Sequence, residues 1–455
     1  MKLTRSIFLA GVIFACALSV YAAEVNDDLS KFFSSKPSDR TVPESLKKHE
    51  NLSKSEANKW IKTVWEAYDK GAKDAGVLDG VVLDVTKDAK TSQLKGIKET
   101  MPYTIFCKGE KPAGGWPLII STHGGGICSK AVNDGQYRNQ VAICQRVYSA
   151  PGIYMIPRMP NDKAGRWRTT ECQIMFKRFI EAAILKLDVN PNKVYFTGIS
   201  QGGYGSFLLA SYWADRWAAV GPAAAGEPAG SCPPENLRNT AFVLRVGEND
   251  NAYDRSKHAR NYIKLLEKLQ KKDPKGYKFI FDYQKGRGHY INHKGHVTDM
   301  QKYTRNPLPQ RVVWKMKSVW GQWKKQFYWL GYEEGPYSDG YVDAKIVKKD
   351  NKIVIVTREV RQLTVMLNDK MLDLNKPVII EINKSVKFKG KVNRSLATIV
   401  KTTAQRRDPN HIFTAEVKIN IEDDIDQANR RIEKEEEEKK NPDKDVFKGW
   451  DKRLD

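Results

Sequence analysis

From about Gly80 to Tyr283, short apolar runs alternate with stretches of helical periodicity. Pro117 to Thr122, Gly152 to Pro157, Lys193 to Gly198, Ala241 to Gly247 and Tyr277 to Tyr283 are each predicted as strands. Val81 to Val85 and Tyr103 to Cys107 are predicted as edge strands. Between them, Ile174, Phe176, Phe179, Ile180, Ala183, Ile184 and Leu187 recur at helical spacing, and helices are also expected from Ser200 towards Trp213 and over Ala259 to Leu269. Continuous apolar strands separated by amphipathic helices predict an α/β domain: a mostly parallel sheet buried on both faces by helices and joined by right-handed crossovers.

The flanks follow other patterns. Lys2 and Arg5 precede an apolar run from Ile7 to Tyr21 that ends in Ala22 and Ala23, the form of a secretory signal peptide over 1–23. The run is shorter than the roughly 20 residues a spanning helix needs. Phe14 and the apolar residues after Cys16 argue against a lipoprotein signal. Residues 24–52 are polar and predict a loosely packed lead-in. A helix then starts at Ser53, where Ser53 and Glu56 match a capping box. Its apolar face is Trp60, Ile61, Val64, Trp65 and Tyr68.

The segment 300–339 concentrates Trp314, Trp320, Trp323, Phe327, Tyr328 and Trp329, expected to dock two domains, with the lining of a cleft as the alternative. After Gly340 the pattern becomes short strands. These comprise two strands joined by a tight turn at Asp350 and Asn351, then Leu363 to Leu367, Val378 to Ile382, Val386 to Phe388, Ala397 to Val400 and Phe413 to Ile419. This predicts an all-β, sandwich-like accessory domain over 340–421 that supplies no catalytic group. Residues 422–455 are a charged tail.

The chain has 455 residues and a formal net charge of +23. Loss of the leader, whose charges are Lys2 and Arg5, leaves +21. A field of that sign favours anionic partners. With export, an acidic polysaccharide is expected and nucleic acid is not, and the localisation expected is secreted or periplasmic. No membrane span remains once the signal is removed. Beyond Cys16 the cysteines are Cys107, Cys128, Cys144, Cys172 and Cys232, with no CxxC pair and hence no zinc or dithiol motif. An oxidising compartment allows one or two disulfides. Cys128 with Cys144, which flank one loop, is the preferred pair.

The chemistry lies in four places. Gly198-Ile199-Ser200-Gln201-Gly202 matches G-x-S-x-G directly after a strand and at the start of a helix, where a nucleophilic serine sits on a sharp turn flanked by small residues. His123-Gly124-Gly125-Gly126 follows the strand at Pro117; such a turn frees backbone N–H groups, and Gly125 with Gln201 would form an oxyanion hole. His123 is expected to hold the loop. Asp250 follows the strand ending at Gly247 and is the expected acid, with Asp254 and Glu248 as alternatives. His289, after Gly286-Arg287-Gly288, is the expected base, with His293 and His296 as alternatives. The order Ser200, Asp250, His289 is that of α/β-hydrolases. No metal or organic cofactor is needed for such chemistry.

On "PLIISTHGGG", "VYFTGISQGGYGS" and "GRGHY" the chain resembles the α/β-hydrolase superfamily over roughly residues 80–300. It is similar there to secreted serine esterases of the polyhydroxybutyrate-depolymerase-like and feruloyl or acetylxylan esterase-like branches. The resemblance implies carboxylic ester hydrolysis through an acyl-enzyme; taken with export, positive charge and the aromatic residues, it points to acyl esters on an extracellular polysaccharide as substrate. "GENDNAYD" lacks the Pro that often follows the family's acid. The other readings are a prolyl-oligopeptidase-like serine peptidase and a non-catalytic glycan-binding protein with a degenerate hydrolase domain.

Overall fold

The computed structural model describes residues 23–335 and 337–421; the charged tail and all but the last residue of the expected leader lie outside them. Its centre is a sheet of eight strands: β1 (Lys90–Lys95), β2 (Thr100–Lys108), β3 (Trp116–Thr122), β4 (Gly152–Pro157), β5 (Val189–Ile199), β6 (Ala219–Ala223), β7 (Ala241–Gly247) and β8 (Phe279–Gln284). Their order is β1-β2-β4-β3-β5-β6-β7-β8. β2 runs antiparallel to β1 and β4, and β3 to β8 are parallel with β4. This is the α/β-hydrolase fold.

Alternation along the strands fills both faces. Leu118 and Ile120 of β3 join Ile153, Met155, Val194, Phe196 and Leu244 in one cluster, which also takes in the apolar faces of three helices, α5 (Thr170–Lys186), α6 (Gln201–Tyr212) and α7 (Arg255–Lys272). Ile119, between Leu118 and Ile120, faces the other way with Tyr154, Tyr195 and Val243. That face is covered by Cys144 of α4 (Lys130–Arg146) and by Val297 and Met300 of α8 (His296–Met300).

The edge strand differs from the expected one. Val81 to Val85 is loop, and the polar β1, KTSQLK, pairs with β2 instead. An edge strand needs only one buried ladder, so only its Leu94 is fully buried. Val81, Val82 and Val85 pack against the main core without joining a ladder.

A β layer follows: β9 (Arg311–Lys315), β10 (Gln326–Phe327), β11 (Leu330–Gly331), β12 (Tyr341–Val347), β13 (Lys352–Arg358), β14 (Gln362–Leu367), β15 (Val378–Ile382), β16 (Ser385–Gly390) and β17 (Ala415–Asn420). They form a five-stranded sheet, β16-β15-β13-β12-β9, and a four-stranded sheet, β10-β11-β14-β17. The β12–β13 hairpin turns at Asn351, whose φ of 47° is the left-handed conformation a tight turn requires. Alternate residues of both sheets, among them Val342, Ala344, Ile353, Leu363, Val365 and Val417, enter one cluster with the hydrolase core.

Three expectations for this region are corrected. β9 pairs with β12 from before Gly340, so the sheet crosses the expected boundary. Residues Leu396–Arg406 form a helix, α9, where a strand was expected over Ala397 to Val400. Ser395 caps it by accepting from Thr398 N–H at 3.2 Å, and Leu396, Ile399, Val400 and Thr403 recur on one buried face, outweighing the β-branched composition. The lead-in is not loose. A helix over 23–34 (α1), with α2 (Glu44–Lys47) and α3 (Lys54–Gly71), buries Val25, Leu29, Phe33, Leu46, Val64 and Tyr68 against Ile399 and Val400 of α9. The Ser53–Glu56 capping box forms in both directions.

The aromatic segment packs in the shared core. Trp314 stacks on Phe327 at 5.5 Å and Tyr332 at 5.8 Å, and the buried Trp329 donates to the Pro309 carbonyl. Trp320 is the exception, with half of its surface open.

Buried charges join the layers. Asp408, after α9, is fully buried and meets Arg305 at 2.7 Å and Arg216 at 3.4 Å. Asp215, after α6, meets Arg406 of α9 at 2.7 Å and Lys324 at 2.8 Å. Burial alone would raise the Asp408 pKa, but the cations Arg305 and Arg216 hold it well below the usual carboxylate range. The stability these pairs contribute is therefore fully present above the unfolded carboxylate pKa near 4 and is lost progressively as pH falls from there through the lower folded pKa. Replacing Asp408→Asn strands Arg305 as a buried charge and is expected to lower unfolding stability by about 3 kcal/mol. Urea denaturation at pH 7 measures this; a change within experimental error would show that the pair does not hold the layers together.

Candidate active site

Ser200 lies between the end of β5 and the start of α6, with φ 54° and ψ −114°. A serine in that region costs on the order of 1–3 kcal/mol and persists only where its surroundings over-determine it. Here Ser200 N–H donates to Ala223 O at 2.9 Å and Ser200 O accepts from Tyr204 N–H at 2.9 Å. The flanking glycines have a specific cause. A Cβ at Gly198 would lie 2.2 Å from Thr122 Oγ1, and one at Gly202 would lie 2.3 Å from Thr122 O. The elbow is pressed against the end of β3, and only hydrogen fits between them.

The three residues singled out in the sequence meet in a row. Ser200 Oγ is 3.0 Å from His289 Nε2, and His289 Nδ1 is 2.8 Å from Asp250 Oδ2. An ionised Asp250 accepts from Nδ1–H, which leaves Nε2 to accept the Ser200 hydroxyl. Asp250 is buried, and its other oxygen, Oδ1, takes Arg255 Nη1–H at 3.0 Å. The acid has no following Pro; its turn is fixed by Asp250 N–H to Gly247 O at 3.2 Å and Ser256 N–H to Asp250 O at 2.9 Å. A Cβ at Gly247 would lie 2.1 Å from Gly288 O, so this glycine lets the His289 loop close on the end of β7.

The alternatives lie elsewhere. Glu248 accepts from Gly286 N–H, and Asp254 faces Lys257 at 4.0 Å. His293 is half-buried and His296 fully buried, and burial followed by the Arg245 charge lowers them to about 4 and about 3. His296 Nε2–H donates to Gly221 O.

The glycine turn sits opposite. A Cβ at Gly124 would stand 3.3 Å from Ser200 Cβ, while Gly125 and Gly126 adopt φ of 89° and 119°. Gly125, Ser200 and Gln201 line one cleft. Gln201 opens α6, where a backbone N–H lacks an intrahelical acceptor. His123 is buried as a brace: Nδ1–H donates to Gly124 O at 2.6 Å and Nε2 accepts Met159 N–H at 3.0 Å. Burial lowers it to about 4, so it stays neutral.

A second brace had no signal in the sequence. Buried Asn133 bonds both the N–H and the carbonyl of Gly126, at 3.0 and 2.9 Å, and then Asp162 at 2.7 Å. Asp162 in turn binds Arg158. All five described cysteines carry free thiols, so the expected Cys128–Cys144 pair does not form. Cys144 points into the core beneath α4, and burial raises its thiol to about 12.

The cleft above Ser200 has a volume of about 470 Å³. Its charged lining, Arg166, Arg168, Glu227 and Arg255, is mostly cationic, and none of these residues was singled out in the sequence. Burial pushes the Glu227 carboxyl up to about 7 against the pull of Arg168 and Arg166. Among the described residues, no group of three or more His, Cys, Asp or Glu side chains could hold a metal ion, and no helix is long and apolar enough to cross a membrane.

No protein-family model matches the chain, and no curated protein matches it in sequence. Solved structures similar to it include a thermostable esterase, at 20% identity and a TM-score of 0.35, covering 48% of this chain and 64% of that one. A ferulic acid esterase is 16% identical with a TM-score of 0.34, covering 48% and 97%. Esterase 2 of Thermogutta terrifontis is 16% identical with a TM-score of 0.35, covering 47% and 90%.

The contact between Gly202 and Thr122 sets the elbow. Gly202→Ala is expected to lower stability by about 1–3 kcal/mol, because Thr122 O belongs to the central sheet and cannot retreat. Thermal unfolding read by circular dichroism measures it; an unchanged midpoint would mean that the elbow has room to relax.

Proposed function

We propose that the protein is a serine hydrolase that cleaves carboxylic esters through an acyl-enzyme. The observation that carries this reading is the Ser200–His289–Asp250 row, with spacings of 3.0 and 2.8 Å, standing at the carboxyl end of a parallel sheet beside a glycine turn. Ser200 Oγ attacks the ester carbonyl while His289 Nε2 takes its proton. Asp250 orients the ring and stabilises the imidazolium that forms. The N–H groups of Gly125 and Gln201 receive the developing oxyanion. His289 then returns its proton to the departing alcohol, and a water activated by the same nitrogen releases the acid. Arg255 acts one step back, bonding Oδ1 of Asp250 and leaving Oδ2 for His289.

The substrate we propose is an acyl ester on an extracellular polysaccharide, met after export. The +21 charge of the chain beyond the leader and the cationic cleft support an acidic polymer.

Ser200→Ala is expected to reduce turnover of p-nitrophenyl acetate by on the order of 10³ or more, leaving only binding and oxyanion effects. An active-site phosphonate should add one equivalent to the natural chain and none to the variant. Near-normal turnover by Ser200→Ala would sink the mechanism.

A further inference from the structure

The loop between β4 and α5 runs Gly165-Arg166-Trp167-Arg168-Thr169 and is fixed at both ends. Gly165 has φ 53°, and a Cβ there would lie 2.3 Å from Ile127 N and 2.4 Å from Gly126 C, so the loop is pressed against the glycine turn. Thr169 caps α5 by accepting Cys172 N–H at 3.3 Å. Between them Trp167 is fully buried and donates to His123 O at 2.9 Å. A Cβ at Gly205 of α6 would lie 2.7 Å from Trp167 Cβ, leaving the indole no freedom to shift.

Anchoring Trp167 inward leaves both neighbours lining the cleft that holds Ser200. Arg166 Nη1–H bonds Gly165 O at 2.9 Å and reaches Gln201 Oε1 at 3.5 Å. The Arg168 guanidinium lies 5.9 Å from the ring centre of Trp320, the half-exposed tryptophan. Neither is in ion-pair contact with a carboxylate among the described residues. The fully buried arginines have such partners, among them Arg158 with Asp134 at 2.8 Å, Arg305 with Asp408 at 2.7 Å and Arg394 with Asp369 at 2.6 Å, while the half-buried Arg40 and Arg178 are held by backbone carbonyls of Phe33 and Asp79. In the cleft itself Arg255 is committed to Asp250. Glu227 lines the same cleft, and burial raises its carboxyl to about 7 against the pull of Arg168 and Arg166. Two half-buried guanidinium groups thus stand on a rigid loop beside the nucleophile with no carboxylate among the described residues in ion-pair contact. Their planar forks match a carboxylate.

We propose that Arg166 and Arg168 form a carboxylate-binding subsite, so that the substrate carries a carboxylate close to the ester that Ser200 attacks. The inference rests on the esterase reading and narrows it to esters of acidic compounds. The carboxylate belongs either to the acyl group, as in a hemiester of a dicarboxylic acid, or to the alcohol, as in an acylated uronic acid.

The test compares matched pairs in two arms. p-Nitrophenyl hemisuccinate is set against p-nitrophenyl butyrate, and acetylated polygalacturonate against an acetylated neutral glucan. The natural chain should prefer the charged member in one arm, which identifies the carboxylate's source. In Arg166→Met/Arg168→Met the ratio of kcat/KM for the charged over the neutral ester should fall by roughly 10- to 100-fold, as expected for loss of charge-assisted hydrogen bonds. Most of that fall should appear in KM. Arg168→Lys, which keeps the charge but not the fork, should recover part of it. A natural chain with no preference in either arm, or a ratio unmoved in the folded double variant, overturns the subsite. If the natural chain cleaves no ester at all, the esterase reading fails by itself. The subsite is then decided by calorimetry with oligogalacturonate and a neutral oligosaccharide of equal length: tighter binding of the acid, lost in the double variant, upholds it, and equal binding removes it.

Discussion

The site depends on one steric constraint, the contact between the Ser200 elbow and the end of β3. Ser200 holds a backbone conformation that a serine does not adopt freely. It stays there because the chain on each side is wedged against Thr122, with Gly198 touching its hydroxyl and Gly202 its carbonyl. Thr122 is itself bonded inward, its Oγ1–H donating to Thr197 O at 3.1 Å. The residue after Thr122 is His123, which opens the glycine turn. One contact therefore sets the nucleophile and the start of the turn opposite it in a single frame, and neither moves without the other. His123, Trp167 and Asn133 then stiffen the turn from behind.

The charges follow from the same enclosure. A carboxylate as buried as Asp250 needs a hydrogen-bond partner at each oxygen. Arg255 supplies the charge at one oxygen, and the other is left for His289. Arg255 Nε–H also binds Tyr204 OH at 3.0 Å, which ties the acid's loop to α6 and so to the serine. Asp408 and Asp215 are handled alike, each enclosed between two cations. Arg166 and Arg168 have no such ion pair among the described residues, and both line the cleft that holds Ser200.

The parts of the site visible in the sequence are those whose chemistry forces a local pattern. Ser200 needs glycines two residues away, Gly125 belongs to a glycine run after a strand, and Asp250 and His289 follow strand ends. The sheet was legible because buried parallel strands are apolar without interruption. What escaped notice was set by partners distant in the chain. β1 is polar because only one of its edges is paired, so no hydropathy pattern marks it. α9 has a β-branched sequence and is a helix because α1 and α3 cover its apolar stripe. The boundary at Gly340 tracked a change of pattern, whereas sheet pairing is decided by which strand satisfies the open edge of β12, and β9 does so from upstream. Arg166 and Arg168 resembled surface cations because nothing local reveals that Trp167 between them is buried.

The β layer therefore cannot be a detachable appendage. Its inner residues share one apolar cluster with the hydrolase helices, and Asp408 and Arg406 bring α9 into ionic contact with the loop after α6. The segment between β9 and β10 carries Trp320, whose ring meets Arg168 at the cleft. The position of one subsite arginine is thus set from two directions, by Trp167 pulling the loop into the α/β core and by Trp320 standing beside its guanidinium. The layer reaches the cleft through Trp320 and contributes no side chain to the Ser200–His289–Asp250 row. Its influence should fall on which esters enter, and the chemistry at Ser200 should remain the property of the sheet.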